Sequence, residues 1–184
     1  VTTPNVEHSG GTTQATLERE LTKYLLKYGH VNYQVLDDHD VVNYNVARFI
    51  FEELDADELQ FDIEVYRTIL DCYRKEWEIR GEGVEVPMHI FINHHNPDVS
   101  RVSIELFTSD DNYVISKIWE QKDVHIESDE EQLAEGVPKA MALYKWRALD
   151  KRMAELRVLM AEREDVEDIV ALYAKYQSVR VEIA

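Results

Sequence analysis

The chain has 184 residues, enough for one domain with its own core plus an appendage. It carries 20 Lys/Arg against 37 Asp/Glu, a formal charge of −17, and such a field repels polyanions and argues against direct nucleic-acid binding. The single cysteine, Cys72, excludes a disulfide framework or a cysteine-built zinc site within one chain and fits a cytoplasmic setting, and no apolar run is long enough for a membrane span.

Residues 1–13 are polar, with Pro4 and a Gly10-Gly11 pair, and read as a flexible linker from a preceding domain of a longer protein. From Ala15 the pattern is helical: Leu17, Leu21, Leu25 and Tyr28 form one stripe that ends near Gly29. Residues 30–40 read as a short extended piece and an acidic turn, with Asp40 as the N-cap of a helix over 41–54. That helix turns Val42, Val46, Phe49, Ile50 and Leu54 toward a core. Asp62 is the predicted cap of a third helix carrying Val65, Ile69, Cys72, Tyr73 and Trp77, which ends near Gly81. Pro87 limits residues 84–96 to one helical turn or a short extended segment, and Asn96-Pro97 opens the next helix. A further helix is predicted over 112–121, with Ile115, Ile118 and Trp119 inward.

The last third is long and periodic. Ala142, Trp146, Leu149, Met153, Leu156 and Met160 make a heptad-like seam on one helix from Glu131 to about Arg163, despite Gly136 and Pro138. Asp165 caps a final helix over about 166–182, whose Val166, Ile169, Tyr173 and Tyr176 face that seam. The predicted fold is all-α: a linker over 1–13, a multi-helix bundle over 14–145 and a long C-terminal helical hairpin over 146–184. Charge divides unevenly between them. Residues 1–130 hold 11 Lys/Arg and 27 Asp/Glu, whereas 131–184 hold 9 and 10, so the acidity belongs to the bundle.

No catalytic constellation is visible along the chain. His94 and His95 are adjacent, which is not the helical spacing that converges on zinc, although His89 and Asp98 lie nearby. The Asp37-Asp38-His39-Asp40 and Asp110-Asp111 clusters read as caps and turns, and Cys72 as a buried core thiol. No nucleotide-binding, zincin or nucleophile-elbow motif occurs. The hairpin, by contrast, is apolar on more sides than two helices can bury, since Leu172, Val179 and Val181 on one helix and Val158 and Leu159 on the other are left over. Surplus apolar surface of this kind marks a partner site. The candidate contact residues are Leu159, Met160, Leu172, Tyr173, Tyr176, Gln177, Val179 and Arg180, with Arg157 and Arg163 placed to steer toward an acidic partner.

Several segments also carry a family resemblance. Phe91-Ile92-Asn93-His94-His95-Asn96-Pro97-Asp98-Val99-Ser100 resembles the F-x-x-H-x-x-x-x-x-S segment of the C-terminal domain of bacterial DnaG-type DNA primases. Tyr113-Val114-Ile115-Ser116-Lys117-Ile118-Trp119 is similar to that family's Y-x-L-S-K-x-W/Y segment. Leu133, Val137-Pro138 and Tyr144-Lys145 follow its long-helix pattern, and Glu18 to Gly29 and Phe61 to Ile69 resemble its first and third helices in the right order. The resemblance implies a helicase-binding domain, whose hairpin docks on the N-terminal domain of the replicative helicase. It implies no cofactor and no enzymatic activity here, since the zinc-binding and polymerase domains of such a primase lie elsewhere. It implies no membrane or direct nucleic-acid contact, while the apolar hairpin leaves room for weak self-association. Two alternatives stand beside it: the collar-forming N-terminal domain of the replicative helicase itself, and a helical metal-dependent hydrolase using His94 and His95.

Overall fold

A computed structural model describes residues 13–37, 40–109, 129–162 and 167–183. The described residues form seven helices and one two-stranded hairpin: α1 (Gln14–Tyr28), β1 (Asn32–Asp37), β2 (Asp40–Asn45), α2 (Val46–Ala56), α3 (Glu64–Arg80), α4 (His89–Ile92), α5 (Pro97–Thr108), α6 (Asp129–Glu162) and α7 (Glu167–Ile183). The architecture is all-α. The predicted 112–121 helix with Trp119, residues 1–12 of the predicted linker, Arg163 and the predicted Asp165 cap lie outside the described residues.

α1 is the hub of the bundle, packed against α2, α3, α5 and α6. Its start is the side chain of Thr13, which accepts from the Thr16 amide, so the residue at the end of the predicted linker belongs to the helix. Leu17, Leu21 and Leu25 are buried, and Tyr28 packs at the edge of the core. Each leucine so removed from water contributes about 1.5–3 kcal/mol. Gly136 of α6 lets the two helices approach, because a Cβ there would strike the Tyr24 hydroxyl.

Residues 32–45 differ from the sequence expectation. The predicted helix over 41–54 begins only at Val46, and Asp40 is not its cap. Instead β1 and β2 pair antiparallel, with Val35 opposite Val42 and Asp37 opposite Asp40. Val41, Val42 and Tyr44 are β-branched or aromatic, residue types that suit a pleated surface better than a helical turn. The cap is Asn45, whose Oδ1 accepts from the Arg48 amide at 3.1 Å. Tyr33, Tyr44 and Phe49 form an aromatic cluster where the hairpin meets α2, with ring centroids 5.7 to 6.4 Å apart.

Asp62 is likewise not the cap of α3. The residue before the helix is Ile63, which has no side-chain hydrogen bond to offer. The fully buried Glu18 of α1 supplies the acceptor from across the bundle, taking the Asp62 amide at 2.9 Å and the Ile63 amide at 3.0 Å. A carboxylate at a helix N-terminus also meets the positive end of the helix dipole. Farther along, α4 is the single predicted turn, and α5 opens as expected, with Asn96 Oδ1 accepting from the Asp98 amide at 2.9 Å.

Candidate protein-interaction surface

α6 runs without interruption from the bundle into the hairpin. At 34 residues it spans about 51 Å, and Pro138 is tolerated inside it. Its apolar positions serve two separate cores. Leu133, Val137, Ala140, Met141, Tyr144 and Ala148 belong to the bundle core. Leu149, Met153 and Leu156 belong to a second cluster with Tyr176, against which Ile169, Tyr173, Val179 and Ile183 pack. Of the seam read from the periodicity, Leu149, Met153 and Leu156 form the hairpin core, whereas Ala142, Trp146 and Met160 belong to neither buried cluster, and the two clusters meet between Ala148 and Leu149.

The hairpin leaves apolar side chains uncovered. Val181 is 71% exposed, Val158 57% and Val170 49%, with Leu159 and Leu172 also exposed. On α7, Val170, Ala174, Gln177 and Val181 recur at helical spacing along one outward stripe, and Ala174, Gln177, Ser178 and Val181 line a shallow groove of about 390 Å³. Such a stripe suits the apolar face of another helix.

The residues singled out from sequence divide between this surface and the seam. Leu159, Leu172 and Gln177 are exposed, and Met160 is half-buried. Tyr176 is buried in the seam and Val179 packs against it. The Tyr173 hydroxyl accepts from Arg157 Nε at 3.0 Å and Nη2 at 2.6 Å. Arg180 is engaged within the hairpin, paired with Asp150 at 3.2 Å and lying 4.8 Å from the Trp146 ring centroid. Tyr176, Val179 and Arg180 thus hold the hairpin together. Val170 and Ala174 are surface positions that the sequence reading did not single out. Two stripes one residue apart, 169-173-176 and 170-174-177, have the same spacing, and only the approach of α6 shows which one is covered.

The histidine pair occupies the α4–α5 corner. His94 Nδ1 accepts from the Asn96 amide at 3.1 Å, which places the proton of the neutral ring on Nε2, where it donates toward Cys72 Sγ at 3.6 Å. Burial, and then the neighbouring His95, push the His94 pKa down. Cys72 is half-buried rather than fully enclosed, and burial pushes its thiol pKa up. A thiol so held is a poor nucleophile. Ser100 Oγ donates to the Ile92 carbonyl, and Phe91 stacks on Tyr73 with centroids 5.9 Å apart. Phe91, His94 and Ser100 therefore fasten one corner of the bundle. No cluster of three metal-ligating side chains occurs among the described residues.

A cleft of about 490 Å³ lies between the end of α2, the following loop and α3. Leu54, Leu59 and Leu70 line it together with Asp55, Glu58, Asp71, Arg67 and Arg74. Arg74 forms a double hydrogen bond to Asp55 at 2.7 and 3.0 Å and lies over the Phe51 ring. No histidine, serine or cysteine lines the cleft among the described residues.

The profile of one protein family, described as a domain of unknown function (DUF8430), matches residues 6–184. The chain belongs to that family. The match covers bundle and hairpin alike, so the two-part arrangement lies within one family unit. No curated protein and no solved structure matches the chain. Among the described residues, no helix is long and apolar enough to cross a membrane.

Proposed function

We propose that this chain is the helicase-binding domain of a DnaG-type primase, recruiting primer synthesis to the replication fork through its C-terminal hairpin. The observation that carries the reading is the uncovered apolar stripe on a hairpin that already has a core of its own. Val170, Val181, Leu172 and Leu159 contribute nothing to that core while exposed, and they are positioned to lose water against a partner helix. The order of primase-like segments through residues 15–184 names the partner class, the N-terminal domain of the replicative helicase. The domain acts by binding: it holds no cofactor, needs no membrane and leaves nucleic acid to other domains. The acidic bundle supports the last point by repelling phosphate.

Calorimetric titration of the whole chain against the N-terminal domain of the cognate helicase tests the reading. Saturable binding is expected, weakened at least about tenfold by Val170→Asp combined with Val181→Asp, since burying an unpaired charge at an interface costs more than about 1.4 kcal/mol. Both positions are exposed, so the variant should keep its helix content by circular dichroism. Absence of binding by the wild-type chain, or binding unaffected by the double change, would remove the hairpin reading.

A further inference from the structure

The hairpin and the bundle have separate apolar cores, and α7 packs principally on α6. What joins α7 to the bundle is polar, and it converges on the loop between α2 and α3. Arg152 of α6 spans the gap: Nη2 donates to the Glu58 carbonyl at 2.8 Å, Nη1 donates to the Tyr176 hydroxyl at 3.2 Å, and the guanidinium lies over the Tyr176 ring. Lys175 of α7 reaches the Glu58 carboxylate at 3.3 Å. Glu58 itself has φ 53°, a left-handed conformation that a side chain other than glycine, asparagine or aspartate seldom adopts. It is gripped at its carbonyl by one helix of the hairpin and at its carboxylate by the other.

A few residues away the same loop region is fixed differently. Lys145 is buried and pairs with both Glu53 and Asp57, at 2.5 and 2.7 Å. Tyr144 donates to the Gln60 carbonyl at 2.8 Å, and Lys151 pairs with Asp62 at 2.7 Å. The Lys145 pair is shielded from dissolved ions, whereas Lys175 and Glu58 are 51% and 72% exposed and are screened by them.

We propose that the bearing of the hairpin on the bundle is set by an electrostatic latch, in which Arg152 and Lys175 grip Glu58 beside the fixed Lys145 anchor. α6 beyond Lys151 is the part that bends when the latch opens, since Ala148 lies in the bundle core and Lys151 is paired with Asp62. Salt opens it, and so does any charged partner group that competes for Glu58 or Lys175. The hairpin thereby changes direction without unfolding, and this holds whatever partner the hairpin meets.

Pulsed electron paramagnetic resonance on the full chain tests this, with spin labels on Glu78→Cys in α3 and Ala171→Cys in α7 in a Cys72→Ser background. At low salt a single narrow distance distribution is expected. About 1 M potassium chloride, or Lys175→Glu, should add a second population, raising the ratio of released to latched molecules by up to about fivefold. The charge exchange Glu58→Lys with Lys175→Glu should restore the narrow distribution at low salt, which a purely structural role for either side chain would not do. A distribution unchanged by salt and by Lys175→Glu, or one broadened by Lys175→Glu and not restored by the exchange, would overturn the latch.

Discussion

In the bundle, Leu21, Leu25, Ile50, Ile69 and Leu106 are wholly removed from solvent, whereas in the hairpin core only Leu149 is. The bundle helices gather their apolar residues on one face, whereas α6 and α7 spread theirs around the helix, and the two regions also differ in the number of neighbours. α1 is surrounded by four other helices, and each closes a different side. Among the described residues, the apolar side chains of α6 and α7 in the hairpin pack chiefly on each other, and two cylinders in contact cover one stripe apiece. The uncovered remainder keeps apolar side chains of the hairpin in water. The bundle is more deeply buried and more acidic, although Ile79, Val84, Ile104 and Leu143 are exposed on it as well.

The widest separation between the two regions should come from paired truncations. Leu25→Ala is expected to cost about 2–5 kcal/mol in urea unfolding and to lower hydrogen-exchange protection through α1, α3 and α5 together. Met153→Ala should cost near the bottom of that range, about 2 kcal/mol, with the loss of protection confined to α7 and the end of α6. Equal loss of protection in α1 after Met153→Ala would show that bundle and hairpin unfold as one unit.

Next in size is the cap that crosses the bundle. Glu18→Ala leaves two amides at the start of α3 without an acceptor and should cost about 2–3 kcal/mol, against a few tenths for Asp62→Asn at the position that sequence favours as the cap. Reversed sizes would return the capping role to Asp62.

The Lys145 anchor should read out at alkaline pH. Burial lowers its pKa, but hydrogen bonds and charge from Asp57 and Glu53 outweigh this and raise it above the ordinary 10.5. Its contribution is therefore fully present below pH 10.5 and is lost as pH rises through the higher folded value. Lys145→Met should cost about 1–2 kcal/mol at neutral pH and remove this part of the alkaline loss, as thermal melts of both chains across that range would show.

The smallest effect expected is at the α4–α5 corner. The His94 pKa is lowered from 6.5, so its contribution is present above pH 6.5 and fades as pH falls through the folded value. His94→Gln should flatten the difference in melting temperature between pH 7 and pH 5 relative to wild type. An identical acid slope in both chains would assign the loss to carboxylates instead.

Much of this fold is legible along the chain, because helical periodicity is a local property. The stripe Leu17, Leu21, Leu25, the Asn96-Pro97 start of α5 and the seam Leu149, Met153, Leu156 all need only the spacing of side chains around one helix. The β-hairpin was harder, since Val42 and Tyr44 fit either a helix face or a strand until their partner across the ladder is known. Glu18 carried a signal that could have been used: a lone acid beside Leu17 and Leu21 on an apolar face requires a buried partner. The exposed apolar stripe was legible only as a surplus of apolar residues, not as a list of positions.

The sequence by itself therefore determined the helical class and the surplus of apolar residues along the last two helices. Each of these follows from composition and spacing within a helix. Tertiary structure alone decided that Tyr176 and Val179 serve the seam while Val170 and Val181 face outward, that Glu18 caps a helix 44 residues away, and that Arg152 and Lys175 meet at Glu58. Those pairings join groups far apart along the chain, and a helix with two equivalent stripes acquires an inside only when a second helix is laid against it.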